Sequence, residues 1–317
     1  MKNRSWRATG LLGLSMLGLT LLLPTRAAAQ GEGAHTYFPA PVGTNVIVPT
    51  YMHMSSNMNF AGSIQIKNAD IQSDVGALSY VRFFSLGGRL AELWVAPIFG
   101  GVDGDVVLDP GATGATRAVH VPRQSGFADP YVALRVGLVG APALKPAEFM
   151  KHPQGFQVYT LFGAYVPIGE YDSAKPLNLG TNRWAIRLGA PMVFPFDAAL
   201  KTALEVTPSV VFYTANTDPF GAVDERTQDP LFIVETHLVH TFNPKFWGAL
   251  DLRYQNGGET TADGVPEDNK LSQLGGGGTL GYQPTRALGF QLTYGGIFLK
   301  NDDSKGKMLR LRMTYSF

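Results

Sequence analysis

Hydrophobic and polar residues alternate with period two along most of the chain from residue 43 onward. Twelve apolar runs of about a dozen residues are separated by turn-rich segments, without a sustained helical period. They lie at 43–54, 72–84, 90–101, 127–139, 155–167, 183–194, 202–213, 231–242, 246–256, 271–283, 287–299 and 307–317. Each is long enough for a tilted strand, which needs ~9–11 residues to cross a membrane. The pattern predicts an all-β fold, an antiparallel transmembrane β-barrel of about 12 strands, with 10 or 14 as alternatives.

The connections between these runs alternate in length. Short links near 85–89, 243–245 and 283–286 take turns with longer polar segments near 102–126, 168–182, 214–230 and 257–270. Bacterial barrels show this asymmetry because their periplasmic turns are short and their external loops are long. Residues 140–154 depart from it, and their three prolines predict an extended or partly helical excursion on the periplasmic side.

The alternation within each strand predicts which side chains face lipid. In the last strand the outward set is Leu309, Leu311, Met313, Tyr315 and Phe317, with Arg310 and Arg312 on the opposite face. The reverse assignment would place arginine in hydrocarbon, which costs ~2–4 kcal/mol near the midplane. Aromatic residues expected at the two membrane interfaces are Phe38, Trp184, Phe242, Tyr254 and Tyr282.

The start of the chain resembles a cleavable export signal. Lys2, Arg4 and Arg7 precede an apolar run from Leu11 to Leu23, and small residues follow before Gln30. We therefore expect residues 1–29 to be a signal peptide, 30–42 an N-terminal periplasmic segment and 43–317 the barrel. Export and a transmembrane barrel together predict the outer membrane of a Gram-negative bacterium.

Composition narrows the chemistry. There is no cysteine, so disulfides and thiolate sites are excluded, and the formal net charge of +1 does not suggest a nucleic-acid partner. Charged residues make up only 16% of the chain, against about a quarter in a soluble domain. Asp103, Asp105 and Asp109 resemble part of a calcium loop but lack its full ligand series. No metal and no cofactor is expected.

The inward-facing positions carry charge of both signs. The predicted lumen-lining residues are Glu92, Trp94, Arg135, Arg187, Glu205, Glu235, His237, Asp251, Arg253, Arg310 and Arg312. Glu235 or His237 could pair with Arg253 on a neighbouring strand. A barrel of this size lies between self-filled and water-filled barrels, which predicts a narrow or partly occluded lumen. These charges either line a selective path or only satisfy one another.

Three segments resemble a known family. Residues 126–131 read Gly-Phe-Ala-Asp-Pro-Tyr, 165–171 read Tyr-Val-Pro-Ile-Gly-Glu-Tyr and 177–184 read Leu-Asn-Leu-Gly-Thr-Asn-Arg-Trp. They resemble the outer-membrane family named for the MetA pathway of phenol degradation. The resemblance covers roughly residues 43–317 and implies a transporter-like barrel linked by name to aromatic catabolism. It implies no catalytic residues.

The predicted topology gathers these three motifs at one external mouth. The substrate-mouth candidates are Asp129, Tyr131, Tyr165, Tyr171, Asn178, Asn182 and Arg183. They could form a capture site with aromatic walls and a few polar groups. Alternatively, Asp129 caps local backbone or pairs with Arg183, and the neighbouring glycines and prolines shape turns.

The sequence therefore predicts an outer-membrane channel or transporter for small, hydrophobic or aromatic compounds. A structural or adhesive barrel with partner-binding loops is the alternative, and a hydrolase is disfavoured because His237 has no evident serine partner. No enzymatic activity is expected. The expected partners are outer-membrane lipid and lipopolysaccharide, the barrel-assembly machinery and a small hydrophobic or aromatic solute.

Overall fold

The computed structural model describes residues 32–108, 117–197, 199–300 and 303–317. The predicted signal peptide lies outside these residues. The strands are β1 (Asn45–Ser56), β2 (Asp70–Leu86), β3 (Arg89–Leu108), β4 (Arg117–Val139), β5 (Gln157–Tyr165), β6 (Ala185–Gly189), β7 (Met192–Pro195), β8 (Thr202–Tyr213), β9 (Arg226–Gln228), β10 (Leu231–Asn243), β11 (Phe246–Gly257), β12 (Thr260–Ala262), β13 (Val265–Pro266), β14 (Leu271–Tyr282), β15 (Leu288–Lys300) and β16 (Gly306–Ser316). A single turn of helix, α1, spans Pro146–Phe149.

The sheet closes on itself. Each wall strand pairs antiparallel with its neighbour, and β1 pairs with both β2 and the last strand, β16. Strands β6 and β7 are two halves of one crossing, because both pair with β5 and β8 on either side of Ala190 and Pro191. Proline has no N–H to donate, which explains the interruption. The wall is therefore a closed barrel of 12 strands, and the predicted fold class is confirmed.

The faces of the wall follow the predicted alternation. Leu309, Leu311, Tyr315 and Phe317 are exposed on the outside of β16, whereas Arg310 is buried inside. Trp184, Phe242, Tyr254 and Tyr282 are also exposed on the outer surface. The apolar outer surface of this closed wall places the protein in the outer membrane of a Gram-negative bacterium.

The hairpin of β3 and β4 is taller than predicted. Residues 102–108 and 117–126, which the sequence analysis places in a long loop, continue the two strands. Val102, Val106 and Val121 are buried on the inner face, so the alternating pattern extends past the membrane. Charged side chains occupy the outer face, where Arg123 contacts Asp103 at 3.0 Å. The charge content made this stretch resemble a loop, but cross-strand ion pairs support a sheet in water.

The connection at 140–156 contains α1, as the extended or partly helical prediction allowed. Glu148 accepts a hydrogen bond from the backbone N–H of Lys145, which closes the first turn. Across the described ranges, the chain has no helix of the length and apolarity required to cross a bilayer.

The N-terminal segment lies inside the barrel. The sequence analysis assigns 30–42 to the periplasm and Phe38 to the membrane interface, but Tyr37 is 2% exposed and Phe38 packs with Val239 and Trp247. Residues 32–38 are therefore a component of the lumen. The periplasmic assignment is wrong for these residues, and the interfacial assignment is wrong for Phe38. Their polar side chains find partners on several wall strands at once, which no local sequence pattern encodes.

A two-chamber lumen as the candidate functional site

Two cavities lie one above the other in the part of the lumen that the structure describes. The lower chamber, of about 240 Å³, lies within the wall and has the aromatic lining residues Phe60, Trp94, Tyr131, Tyr165 and Tyr213. The vestibule, of about 330 Å³, lies on the external side among the loops, with Tyr171, Asn178, Phe220 and Arg226 in its lining. Thr181 and Arg183 line both cavities, so these two residues stand at their junction.

The first external loop, residues 57–69, crosses the mouth between the cavities. Met58 packs with Val211, Leu231 and Ile233, on the side of the barrel opposite to β1. The carbonyl oxygen of Ser63 accepts a hydrogen bond of 2.7 Å from the Gln228 side chain, which ties the loop to that far side. The loop therefore forms a cap over the lower chamber. This cap was missed by sequence reasoning, because the partners of the loop lie far along the chain.

Asp129 anchors the second element of the mouth, the loop at 166–184. Its two carboxylate oxygens accept hydrogen bonds from the backbone N–H groups of Gly169, at 2.9 Å, and Thr181, at 2.8 Å. The hydroxyl of Thr181 donates a third bond at 2.7 Å. Leu177 and Leu179 of the same loop are buried against Val102 and its neighbours. Asp129 thus positions the loop and does not contact Arg183 through an ion pair.

We expect Asp129→Asn to loosen the loop at 166–184. The asparagine amide is isosteric but has a single oxygen, so it cannot accept from both Gly169 and Thr181. Hydrogen bonds to a charged acceptor contribute about 1.5–3 kcal/mol. Hydrogen exchange of the amides of Gly169 and Thr181 should accelerate by at least about tenfold. Asp229→Asn, on an exposed loop residue, is the matched control. Unchanged protection in the Asp129 variant would contradict the anchoring role.

Some of the remaining mouth candidates hold the external loops together, and others line the cavities. Asn178 binds the backbone of Asp172 and Lys175 within its own loop. The backbone N–H of Ala174, with the Lys175 ammonium nearby, lowers the pKa of Asp172 in this external loop. Asn182 donates to Asn216 at 2.8 Å, across to the next external loop. Asn178 and Asn182 therefore hold the mouth together.

Tyr171 continues this link between the loops. Its hydroxyl accepts a hydrogen bond from Asn216 and donates one to the carbonyl oxygen of Asp218, both at 2.9 Å. Arg183 is 4% exposed, donates to Gln228 and lies 4.6 Å over the ring of Tyr213. Arg183 is thus the charged group at the junction of the two cavities, where it contacts the neutral side chains of Gln228 and Tyr213.

A charged cluster surrounds the lower chamber at mid-height. Glu235 contacts both Arg187, at 3.3 Å, and Arg253, at 2.5 Å. The pairing of Glu235 with Arg253 is the one that the strand neighbours predicted. His237 contacts Asp251 at 2.7 Å on the adjacent strand. In this cluster, therefore, opposite charges are in contact across neighbouring strands, which offsets the cost of burying them.

The floor of the lower chamber is the N-terminal segment 32–38. Both carboxylate oxygens of Glu32 accept from Arg187 at 2.9 Å, and the hydroxyl of Tyr37 donates to Glu32 at 2.8 Å. Arg312 donates to the carbonyl oxygen of Glu32 and to the Thr36 hydroxyl. The predicted lumen residues Arg187 and Arg312 therefore hold the segment, and Glu32 is a site residue that the sequence analysis did not identify.

Two further contacts fix this floor. The backbone N–H of His35 donates to Glu205 at 3.1 Å, and its ring stacks on Trp247 with centroids 4.7 Å apart. Gly33 has a φ of +81°, which favours glycine, and a side chain there would meet the guanidinium of Arg310. Glu205 and Arg310, both predicted to line the lumen, thus lie against the segment.

The periplasmic half of the lumen is filled by its own side chains. Glu92 and Arg135 form an ion pair in which both side chains are almost fully buried. The guanidinium of Arg135 lies 4.9 Å from the ring centre of Tyr37 and 4.6 Å from that of Tyr159. Trp94 donates to Glu92 at 3.4 Å. Below the lower chamber, therefore, the predicted lumen residues form a closed packing arrangement.

In the ranges that the structure describes, no group of three His, Asp or Glu side chains is placed to hold a metal ion. Asp103 and Asp105 contact Arg123 and His120 on the neighbouring strand, whereas Asp109 lies outside the described residues.

Comparison with known proteins gives a family and a fold. The family model described as "Putative MetA-pathway of phenol degradation" matches residues 46–312. The COG4313 outer membrane channel from Pseudomonas putida F1 has a similar structure, with a TM-score of 0.72 at 23% identity, over 90% of this chain and 100% of that chain. No protein with a curated function shows significant sequence similarity.

Two other solved structures resemble the barrel less closely. The β domain of the Bordetella autotransporter BrkA has a TM-score of 0.43 at 11% identity, over 86% of this chain and all of that chain. A Pseudomonas aeruginosa FadL homologue has a TM-score of 0.41 at 11% identity, over 86% and 89% of the two chains. The similarity to the Pseudomonas putida channel supports the fold of the wall.

Proposed function

Because the chain belongs to the family described as "Putative MetA-pathway of phenol degradation", we propose that this outer-membrane barrel takes up small hydrophobic or aromatic compounds. The observation that carries the proposal is the lower chamber, an aromatic-lined cavity enclosed between the cap and the floor. Its volume of about 240 Å³ is slightly below the roughly 300–1,000 Å³ of ordinary ligand sites, which suits one small molecule at a time.

The route runs from the vestibule past Thr181 and Arg183 into the lower chamber, and leaves past the floor. A general diffusion pore needs an open aqueous lumen, which barrels of sixteen or more strands provide. Here the cap and the floor each interrupt the lumen. Passage of a solute therefore requires both the cap and the floor to move. The lower chamber between them selects the solute by its size and its fit to the aromatic lining.

Solute flux into proteoliposomes tests this proposal. Purified protein should accelerate entry of benzyl alcohol and phenol at least about tenfold over entry of glycerol, a hydrophilic solute of comparable size. Liposomes containing the refolding-incompetent, heat-denatured protein provide the background. Equal acceleration of all three solutes would indicate a non-selective pore, and no acceleration of any would reject uptake.

An adhesive or structural barrel is the second candidate. The tall β3–β4 hairpin and the small external sheet of β9, β12 and β13 project loops that a partner could contact. Deletion of residues 107–118 should abolish adhesion and spare solute flux if this candidate is correct. Loss of flux alone would favour uptake.

Catalysis is not part of the proposal. The His237–Asp251 pair resembles the orienting half of a nucleophilic set. However, Nε2 of His237 is buried and has no hydrogen-bond partner within the described ranges, so no hydroxyl is placed for activation. The outer surface is proposed to contact lipid and lipopolysaccharide, and the carboxy-terminal Phe317 to engage the barrel-assembly machinery.

A further inference from the structure

The carboxylate of Glu32 occupies a site that is built for a carboxylate. Nη1 of Arg187 lies 2.9 Å from each oxygen of Glu32, and the Tyr37 hydroxyl donates to one of them at 2.8 Å. Glu32 belongs to the N-terminal segment and not to the wall. The wall therefore presents a cationic subsite at the bottom of the lower chamber, and the chain fills it with its own side chain.

The lining of the lower chamber contains more arginines than carboxylates. Five arginines line the chamber, including Arg183 and Arg187, whereas the carboxylates in its lining are Glu32 and Asp129. Asp129 is already committed to the backbone of the mouth loop. Glu235, behind the lining, is shared between Arg187 and Arg253. An anion that enters the chamber consequently meets a positive potential.

Aromatic surface and a spare hydrogen-bond donor lie beside the same subsite. The rings of Tyr131 and Tyr165 are 4.8 Å apart and both line the chamber. The Tyr131 hydroxyl lies against Gly163, which pairs with Arg187 across strands β5 and β6. This hydroxyl is buried and has no hydrogen-bond partner among the residues that the structure describes. A ligand whose aromatic ring packs on Tyr131 and Tyr165 and whose carboxylate binds Arg187 would use both the aromatic surface and the nearby hydroxyl donor.

From this geometry we infer that the lower chamber binds small aromatic carboxylates, whose carboxylate group replaces that of Glu32 on Arg187. The inference rests on the proposed uptake function and names its substrate class. A tethered carboxylate competes at an effective concentration in the mM range. Exchange with the cargo releases Glu32 and one anchor of the floor, so binding and opening are coupled through a single ion pair.

Glu32→Gln is the sharpest test, because glutamine keeps the size of the side chain and removes its charge. In calorimetric titrations of the purified protein, this variant should bind benzoate about tenfold more tightly, since the internal competitor is lost. Benzyl alcohol, which has the same ring without the charge, should change by less than about twofold. Glu225→Gln, the same change on an exposed loop residue, should alter neither.

Arg187→Gln provides the converse result. This variant should lose most of its preference for benzoate over benzyl alcohol, because the guanidinium that holds the carboxylate is gone while the other chamber arginines remain. Arg286→Gln, at an exposed periplasmic turn, is its control. If Arg187→Gln does not assemble, Glu32→Gln still tests the inference, because residue 32 is not part of a wall strand. Unchanged benzoate affinity in Glu32→Gln, or an equal gain for benzyl alcohol, would overturn the inference.

Flux measurements separate this inference from the uptake proposal. Entry of benzyl alcohol without any preference for benzoate, and without an effect of Glu32→Gln, would leave uptake standing and reject the carboxylate subsite. Tighter benzoate binding by Glu32→Gln with no flux of either compound would establish the subsite and reject uptake. Benzoate entry that increases in Glu32→Gln supports both.

Discussion

Deletion of residues 32–38 is expected to increase single-channel conductance several-fold. The segment places Glu32, His35 and Tyr37 across the lumen at the bottom of the lower chamber. Its removal leaves the wall strands and their pairing unchanged, because β1 begins only at Asn45. Ions would then pass only the external cap and the wall side chains below the lower chamber, which lose their packing against Tyr37 when the floor is removed. Recordings in planar bilayers measure the change directly.

Deletion of residues 146–150 is the control for this experiment. These residues form α1 and its end in a periplasmic connection, and most of them are exposed. The control should retain the native conductance, since it shortens the chain by a similar amount outside the lumen. If the deletion of 32–38 also retains it, the floor does not limit the current.

Glu92→Leu is expected to cause the largest loss of stability. Its carboxylate is the ion-pair partner of Arg135, and both side chains are almost fully buried. Removal of one partner leaves an uncompensated buried charge, which costs about 3–5 kcal/mol. The expected result is a matching decrease in the free energy of unfolding. Urea titration, followed by the shift in mobility between folded and unfolded barrel on gels, measures it.

A double variant distinguishes the pair from the packing around it. Replacement of both residues, in Glu92→Leu with Arg135→Met, should recover most of the lost stability, because apolar side chains of similar volume often replace a buried pair without penalty. Asp268→Asn removes an exposed partner of Lys67 and should produce no measurable change. A double variant as unstable as Glu92→Leu would show that the cavity, not the charge, sets the cost.

The wall was predictable because its signal is local and repeated. Each crossing carries its own alternation, so β16 and β15 could be assigned inner and outer faces from their own residues. The charges on those faces were equally predictable, and the pairing of Glu235 with Arg253 follows from adjacency of β10 and β11. The tall β3–β4 hairpin was underestimated, because ion pairs on its outer face replace the apolar residues that mark a lipid-facing strand.

The cap and the floor could not be predicted for the opposite reason. Met58 and Ser63 contact strands and loops that lie more than a hundred residues away in sequence. The contact of Glu32 with Arg187 likewise spans 155 positions. Neither segment has a periodic pattern, since each contributes a few side chains to a surface made by many strands. A clue existed in Arg187 and Arg312, which have no acidic neighbour in register on adjacent strands.

The floor can leave the lumen without any damage to the wall. Residues 32–40 make no backbone-to-backbone hydrogen bond to a wall strand within the described ranges; the backbone groups of Glu32 and His35 bond to wall side chains instead. Release of these residues breaks only their contacts with wall side chains. Unfolding of the barrel must break the backbone hydrogen bonds between all twelve strands. The two events therefore have separate energies and separate rates. We therefore expect the floor to be released and bound again many times during the lifetime of one folded barrel.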